Sequence, residues 1–314
     1  MAVPDRPGAD LAEALAEQDL LQAAIHRHGA LLLRGFGVGS PEVDIDQFTE
    51  FVTNLSGPPL DYHERTSPRH AVGGRVFTAT DHPARMPIFS HNEQSYSLTF
   101  PARLHFMCRQ PAQQGGTTTL VDSRQVLGRI RDDLRERLTR LGYRFVRNLR
   151  RHTGLSWQEV LQTEDRAVAE RYCADNDIQL TWLAGDEART VQRRDVIAHH
   201  PVTGEASWFN HCVFFHVSTL GPEGAAMLRK VFGEDYLPNQ TYFGDGTPIT
   251  DADAATLRAA YTSGLTEVHW RTGDILVVDN VLTSHGRTRY QGGRNVVVSM
   301  TGPTTWREVR RQPR

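Results

Sequence analysis

Three side chains of this 314-residue chain have the chemical types that suit an iron centre. His91 and Glu93 are separated by one residue, and His285 follows a distant apolar run. Two imidazoles and one carboxylate are the ligand set that holds non-haem Fe(II) on one face and leaves positions open for oxygen chemistry. Alternate side chains of an extended segment share a face, so His91 and Glu93 can reach one ion. The sequence therefore predicts an open metal site that His285 completes from another strand.

The spacing alone also fits a second interpretation. A chain with 14 histidines and 37 acidic residues contains about one or two His-x-Asp/Glu pairs by chance. In that interpretation His91 and Glu93 form a surface hydrogen-bonded pair, and His285 lies at a strand end. The flanking sequence decides between the two.

Several motifs surround the three residues in a fixed order. They are FSHNEQSY at 89–96, PARLHF at 101–106, QPA at 110–112, GGTT at 115–118, DN at 279–280, HGR at 285–287 and GR at 293–294 before an apolar strand. Together they resemble the Fe(II)- and 2-oxoglutarate-dependent dioxygenases of the taurine dioxygenase superfamily. HPVTGE at 200–205, WFN at 208–210 and FGDG at 243–246 resemble the syringomycin-type hydroxylases of peptide natural-product pathways. The resemblance runs from about residue 29 to residue 300.

The resemblance implies roles for individual residues. His91, Glu93 and His285 would be the metal ligands. Arg294 would bind the distal carboxylate of 2-oxoglutarate, which the bidentate fork of arginine fits better than lysine does. Thr118 would hold the same carboxylate with its hydroxyl.

Alternatives to these two cosubstrate residues stay open. Arg287 and Arg289 are rivals to Arg294, because Lys230 is the only lysine among 35 basic residues and many arginines must be ordinary surface cations. Thr117 and Thr119 are the register alternatives to Thr118. For the substrate, the resemblance indicates Trp208 and Asn210 as pocket residues, although the aromatic residues also suit a core. His211 is expected to pack or to contact substrate rather than to bind a second metal.

The family implies Fe(II), 2-oxoglutarate and O2 as cofactor and cosubstrates, with release of succinate and CO2. Halogenating relatives replace the metal carboxylate with a small residue, so the acid at Glu93 predicts hydroxylation. Glutamate at this position is typical of clavaminate-synthase-like members, many of which act on amino acids. We therefore expect a hydroxylase of an unactivated C–H bond in an amino acid, free or tethered to a peptidyl carrier protein, in the biosynthesis of a specialised metabolite such as an antibiotic.

Two other functions fit the same sequence. A catabolic dioxygenase of a sulfonate or another small acid would keep the iron site and differ in the pocket. A non-catalytic jelly-roll protein that binds a metal or a small ligand would show no oxygen-dependent turnover.

Composition narrows the class of protein further. A net charge of −2 gives no overall field for nucleic acid. The start of the chain lacks a basic region followed by an apolar core, and no apolar run approaches the roughly 20 residues of a membrane span. Three scattered cysteines make neither a disulfide framework nor a zinc ribbon. We expect a cytoplasmic enzyme that acts on small molecules and binds neither nucleic acid nor membrane.

Hydrophobic patterning predicts a sheet-centred fold. Amphipathic helices are expected near 11–25, before residue 57 and over 126–141, and another helix over 166–175. Strands are expected at 75–80, 104–109, 118–121, 143–146, 178–183, 275–278 and 295–300. This pattern predicts a β-rich α+β class. The family resemblance makes the core a double-stranded β-helix (a cupin-like jelly roll) with flanking helices, in one domain over 1–314 with a helical insertion at about 148–194.

Overall fold

The computed structural model describes residues 1–4, 9–36, 45–61, 64, 66, 70–79, 82–151 and 154–310. The helices are α1 Leu11–Ala16, α2 Gln18–His28, α3 Ile45–Ser56, α4 Ser123–Arg129, α5 Asp132–Leu141, α6 Trp157–Leu161, α7 Arg166–Asp175, α8 Gly221–Phe232, α9 Asp251–Thr262 and α10 Trp306–Val309. The strands are β1 Ala30–Leu33, β2 Ala71–Gly73, β3 Val76–Thr78, β4 Ile88–His91, β5 Thr99–Gln110, β6 Gln114–Gly115, β7 Thr118–Asp122, β8 Tyr143–Leu149, β9 Ile178–Leu183, β10 Glu187–Arg194, β11 Ile197–His199, β12 Ala206–Trp208, β13 Asn239–Phe243, β14 Thr266–Val268, β15 Ile275–Asp279, β16 Thr283–Arg287, β17 Tyr290–Gln291 and β18 Asn295–Thr305.

All seven predicted strands are present, and the helix predicted over 166–175 is α7. Residue 80, at the end of the first predicted strand, lies outside the described residues. Two predicted helices are each divided. The N-terminal one breaks at Glu17, and the one over 126–141 breaks where Ile130 and Arg131 adopt extended backbone. The second break buries the Ile130 side chain in the core, and it places Asp132 and Asp133 in the first turn of α5, where the helix dipole favours acids.

The chain is a mixed α/β protein with several antiparallel sheets. Sheet I has six strands in the order β1-β15-β5-β18-β3-β2. Sheet II has four strands in the order β14-β7-β16-β4, and sheet III has four in the order β13-β8-β10-β9. Two short pairs, β11-β12 and β17-β6, complete the set.

Sheet I is buried on both faces, which explains the uninterrupted apolar run of β15. Val277 belongs to a cluster with α1, α2 and α3, whereas Leu276 and Val278 on the opposite face pack with Val268 and Trp270 beside sheet II. Side chains alternate between faces along a strand, so a strand covered on both sides needs apolar residues throughout. Sheets I and II therefore pack face to face, with helices behind sheet I.

Sheet III lies beside this pair of sheets. Tyr143 and Phe145 of β8 share a hydrophobic cluster with Leu134 of α5 and Leu257 of α9, and also with Val121 of sheet II. Among the described residues, no helix is long and apolar enough to cross a membrane.

A close approach of β4 and β16 in sheet II depends on Gly286. A Cβ atom on Gly286 would lie 2.6 Å from the carbonyl oxygen of Ile88 and 2.7 Å from Oγ1 of Thr119. Backbone atoms cannot yield to such a contact, so the side chain of any other residue would push β4 away from β16.

We expect Gly286→Ala to lower the free energy of unfolding by about 1–3 kcal/mol, because the extra methyl overpacks the interface between the strands. Gly128→Ala is the matched control, since Gly128 is exposed in α4 and its Cβ would meet nothing within 4 Å. There the change should stabilise by about 0.5–1 kcal/mol through helix propensity. Urea unfolding measures both. Equal effects at the two glycines would contradict this account of sheet II.

Candidate functional site

The two predicted metal histidines are direct neighbours across sheet II. His285 on β16 pairs with His91 on β4, and their ring centroids are 4.4 Å apart. Side chains directly opposite each other on antiparallel strands point to the same face, with Cβ atoms about 5 Å apart. Strand pairing thus brings together two residues that are nearly two hundred positions apart in sequence.

Glu93 completes the group from a turn rather than from the strand. The extended segment expected over both residues ends at His91, and a turn begins at Glu93, with Gln94 at a φ of 52°. The Glu93 Oε2 atom still lies 3.9 Å from Nε2 of His91 and 4.0 Å from Nε2 of His285. One ligand atom from each of the three residues lies within 4.8 Å of the others, and all three side chains are buried.

This donor set fits Fe(II). The Nδ1–H of His91 donates to the carbonyl oxygen of Phe89 at 2.9 Å, which leaves the Nε2 lone pair for an ion. Separations of 3.9 and 4.0 Å are shorter than two typical metal–ligand bonds of about 2.1 Å, so one ion can contact all three atoms. Two imidazoles and a carboxylate on one side leave the other side open.

A second group with metal-ligand types consists of His26, His200 and Asp279. The nitrogen and oxygen lone pairs of this group already accept hydrogen bonds from the protein. His200 Nδ1 accepts from the backbone N–H of Thr203 at 3.0 Å, and its Nε2–H donates to Asp279 at 3.0 Å. The guanidinium of Arg103 donates to His26 Nε2 at 2.8 Å, which places a cation where an ion would have to bind. We interpret this group as a hydrogen-bonded structural network.

The two predicted metal histidines line a pocket that both predicted cosubstrate residues also line. Its lining includes His91, His285, Thr118 and Arg294, with Ile88, Phe106 and Val298 as apolar wall. Arg294 lies just before β18 and donates from Nε to the carbonyl oxygen of Gly116 at 3.0 Å. Within the described part of the chain its guanidinium makes no other hydrogen bond and has no carboxylate partner. Burial lowers the pKa of Arg294 to about 10, so the group is still a cation at neutral pH.

The rival arginines have different surroundings. Arg287 lines the same pocket, but its two terminal nitrogens donate to the carbonyl oxygens of His82, Pro83 and Met86 at 2.8–3.1 Å. Arg289 is exposed and is not among the pocket residues.

The threonine alternatives also differ in position. Thr118 accepts from the indole N–H of Trp270 at 3.1 Å, so its own hydroxyl hydrogen can point into the pocket. Thr117 instead donates to Glu267 at 2.8 Å. Thr119 packs against Gly286 on the strand next to it.

Two aromatic rings pack against the ring of His91. The ring centroid of Phe214 is 4.7 Å from that of His91, and the ring of His211 is 5.4 Å away. Burial lowers the pKa of His211 far below its ordinary range, so this imidazole is neutral. The sequence offered packing or substrate contact for His211, but nothing in the pattern singled out Phe214.

The two predicted substrate residues are held within the protein core. Trp208 is fully buried in the cluster that joins sheet III to α5 and α9. Asn210 donates from Nδ2 to the carbonyl oxygen of Val196 and accepts from the N–H of Cys212, each at 3.0 Å. Its amide therefore holds the backbone of the segment that carries His211.

The chain is similar to known proteins over most of its length. The profile of the family described as "Taurine catabolism dioxygenase TauD, TfdA family" matches residues 2–301. The dapdiamide synthesis protein DdaC of Enterobacter agglomerans is 34% identical over 275 residues, which cover 88% of this chain and 82% of that protein. A clavaminate synthase-like protein of Arabidopsis thaliana is 28% identical over 294 residues, 90% of this chain and 84% of that protein.

A solved structure extends the likeness to the fold. Asparagine oxygenase in complex with Fe(II), 2S,3S-3-hydroxyasparagine and succinate superposes with a TM-score of 0.56 and 14% identity. The superposition covers 92% of this chain and 79% of that one.

We expect a divalent metal to bind at His91, Glu93 and His285 and not at His26, His200 and Asp279. In a Co(II) titration followed by visible absorption, His285→Ala should weaken binding by more than about 100-fold, because even residues that only support a ligand change metal affinity 10- to 100-fold. His26→Ala, at a half-buried position, should leave the spectrum and affinity unchanged. The reverse pattern would move the metal to the second group.

Proposed function

The chain belongs to the TauD/TfdA family and is a dioxygenase that uses Fe(II) and 2-oxoglutarate, and from this premise we propose that it hydroxylates an unactivated C–H bond of an amino acid. The observation that carries this proposal is one pocket lined by two of the three predicted metal ligands, His91 and His285, and by the partly buried cation of Arg294. A partly buried cation without a carboxylate partner among the described residues favours an anionic ligand in the pocket. A keto acid that chelates iron at one end and carries a second carboxylate at the other matches both the proposed metal ligands and Arg294.

We propose that His91, Glu93 and His285 hold the iron. When bound, Fe(II) with 2-oxoglutarate and O2 supplies the oxidant that removes hydrogen from carbon, with release of succinate and CO2. The three side chains would supply three ligands to the ion, and the remaining positions would be available to cosubstrate and O2.

Arg294 and Thr118 are the proposed anchors of the 2-oxoglutarate carboxylate. The free terminal nitrogens of Arg294 supply charge-assisted hydrogen bonds, and the Thr118 hydroxyl, fixed by Trp270, supplies another. Phe106, Ile88 and Val298 exclude water along the chain of the cosubstrate. We assign Arg287 to holding the 82–86 segment, because carbonyl oxygens already occupy its terminal nitrogens.

We further propose that sheets I and II form the double-stranded β-helix, with the site between them. Their shared cluster and the ring contact of 5.3 Å between Phe106 of β5 and His285 of β16 support this arrangement. The proposal treats 1–314 as one domain with the segment 148–194 as an insertion. The strand β10 of that segment pairs with β8 from Ala188 to Arg194, which supports an insertion built into the same domain.

The substrate class rests on what the relatives are named for. One is a protein of dapdiamide synthesis, and a structural neighbour is an asparagine oxygenase that holds a hydroxylated asparagine. We propose that the substrate is an amino acid or a carrier-tethered aminoacyl group in the biosynthesis of a specialised metabolite. His211 and Phe214 would lie beside the substrate, and Trp208 and Asn210 would support these two residues from behind. Retention of Glu93 favours hydroxylation over halogenation.

Substrate-dependent formation of succinate tests the proposed function. Fe(II), 2-oxoglutarate and O2 are supplied with a panel of free amino acids, the same amino acids on a peptidyl carrier protein, and sulfonates as comparison. We expect an amino acid or its tethered form to raise succinate release and to gain one oxygen atom in mass. Turnover of sulfonates alone would favour the catabolic dioxygenase. No turnover with any of them, despite formation of the anaerobic Fe(II)–2-oxoglutarate absorption band, would favour the binding protein.

Arg294→Gln should weaken 2-oxoglutarate binding by about 1.5–3 kcal/mol, which is roughly 10- to 100-fold, because a hydrogen bond to a charged group is lost. The measurement is the concentration of 2-oxoglutarate that half-saturates the anaerobic visible band. Arg289→Gln is the matched control and should bind as the wild type does, since this arginine is exposed. A larger effect at Arg289 or Arg287 than at Arg294 would reassign the carboxylate anchor.

A further inference from the structure

The main chain of Glu93 lies beyond the strand that carries His91. β4 ends at His91, so no ladder partner satisfies the N–H and carbonyl groups of Glu93. Buried backbone groups need hydrogen-bond partners, and Glu93 is only 4% exposed. Something other than a strand must therefore fix this residue.

The side-chain amide of Asn280 takes that place. Its Oδ1 accepts from the N–H of Glu93 at 2.7 Å, and its Nδ2 donates to the carbonyl oxygen of Glu93 at 2.9 Å. The same Nδ2 donates to the carbonyl oxygen of Pro101 at 2.7 Å. One amide thus bonds both polar backbone groups of a single residue, as the partner residue does in an antiparallel ladder.

Asn280 is itself rigidly held. It is fully buried, and its backbone N–H donates to the carbonyl oxygen of Ala102 at 2.9 Å. Its carbonyl oxygen accepts from Nδ2 of Asn92 at 2.7 Å. The preceding Asp279 accepts from the N–H groups of Val281 and Leu282 and from His200, which fixes the turn after β15.

This turn leads directly into β16, the strand that carries His285. Asn280 lies five positions before His285, and β16 begins at Thr283. The segment from Asp279 to His285 therefore delivers one ligand as its own side chain and fixes the backbone of another. The separation between Glu93 and His285 thus depends on this segment as well as on the pairing of β16 with β4.

We propose that Asn280 is a positioning residue that sets the reach of the Glu93 carboxylate toward the two histidines. This inference rests on the proposed metal site and adds a residue that touches neither metal nor substrate. Removing the amide frees rotation about the backbone of Glu93, and the turn with Gln94 in a left-handed conformation can then relax. The carboxylate no longer meets His91 and His285 in one fixed geometry.

The test is a Co(II) titration of the full chain by visible absorption, which needs neither substrate nor oxygen. Asn280→Ala should bind Co(II) about 10- to 100-fold more weakly than wild type, with a changed band shape because the carboxylate ligand is displaced. Asn280→Asp should do the same. Its carboxylate keeps the size of the amide and can accept from Glu93 N–H, but it cannot donate to the two carbonyl oxygens. If Asn280→Ala does not fold, the aspartate variant supplies the measurement.

Asn148→Ala is the matched control. Asn148 is a buried asparagine on β8 whose Nδ2 donates to the carbonyl oxygen of Leu237 at 2.7 Å, and it contacts none of the three metal residues. It should lose stability but keep the Co(II) band and affinity. An equal loss of affinity in Asn148→Ala, or wild-type binding by both Asn280 variants, would overturn the positioning role and leave the proposed function intact. Failure of the wild type to bind Co(II) would overturn both.

Discussion

The register of β16 between β4 and β7 is the constraint on which the site depends. In this register His285 lies opposite both His91 and Leu120, and Arg287 lies opposite Thr118. A slip of one residue would turn His285 to the other face of sheet II. Gly286 opposes such a slip, because only a residue without Cβ fits against the Ile88 carbonyl oxygen. The geometry of the proposed metal site thus depends first on backbone pairing and then on the side chains.

Hydrogen bonding distinguishes two arginines that the sequence alone does not. Arg287 and Arg294 both face the pocket, and both have a pKa lowered by burial. Three carbonyl oxygens surround the terminal nitrogens of Arg287, whereas Arg294 has a single carbonyl bond through Nε. Each terminal nitrogen of Arg287 already donates to a protein carbonyl oxygen, whereas the terminal nitrogens of Arg294 have no acceptor within the described residues. An anion in the pocket would supply acceptors to Arg294, and this favours an acidic cosubstrate more directly than the position of either arginine along the chain does.

Local pattern predicted seven of the eighteen strands in the described residues, among them β5, β15 and β18, whose apolar sequences follow directly from burial. It failed where tertiary packing overrides propensity, as at Ile130, whose burial divides one predicted helix into α4 and α5. For the site, residue types and order indicated His91, Glu93 and His285. The turn at Glu93 was not predictable, because its geometry comes from Asn280, almost two hundred residues away. The contact between Phe214 and His91 was not predictable for a similar reason, since nothing local distinguishes an aromatic residue beside the site from any other core aromatic.

The two sides of the site are built differently. The metal side is fixed by strand pairing in sheet II and by the hydrogen bonds of Asn280, so a change there alters the backbone. His211 and Phe214 lie beside His91 in the segment after β12 and take no part in the pairing of β4, β7 and β16. His211 is nevertheless joined to the turn after β4 by a hydrogen bond of 2.6 Å between its Nδ1 and Oγ of Ser95, so a substitution of His211 would also disturb the backbone next to Glu93. Phe214 contacts His91 through its ring, so a substitution there would change the surface beside the proposed ligands while strand pairing and Asn280 still hold their backbone.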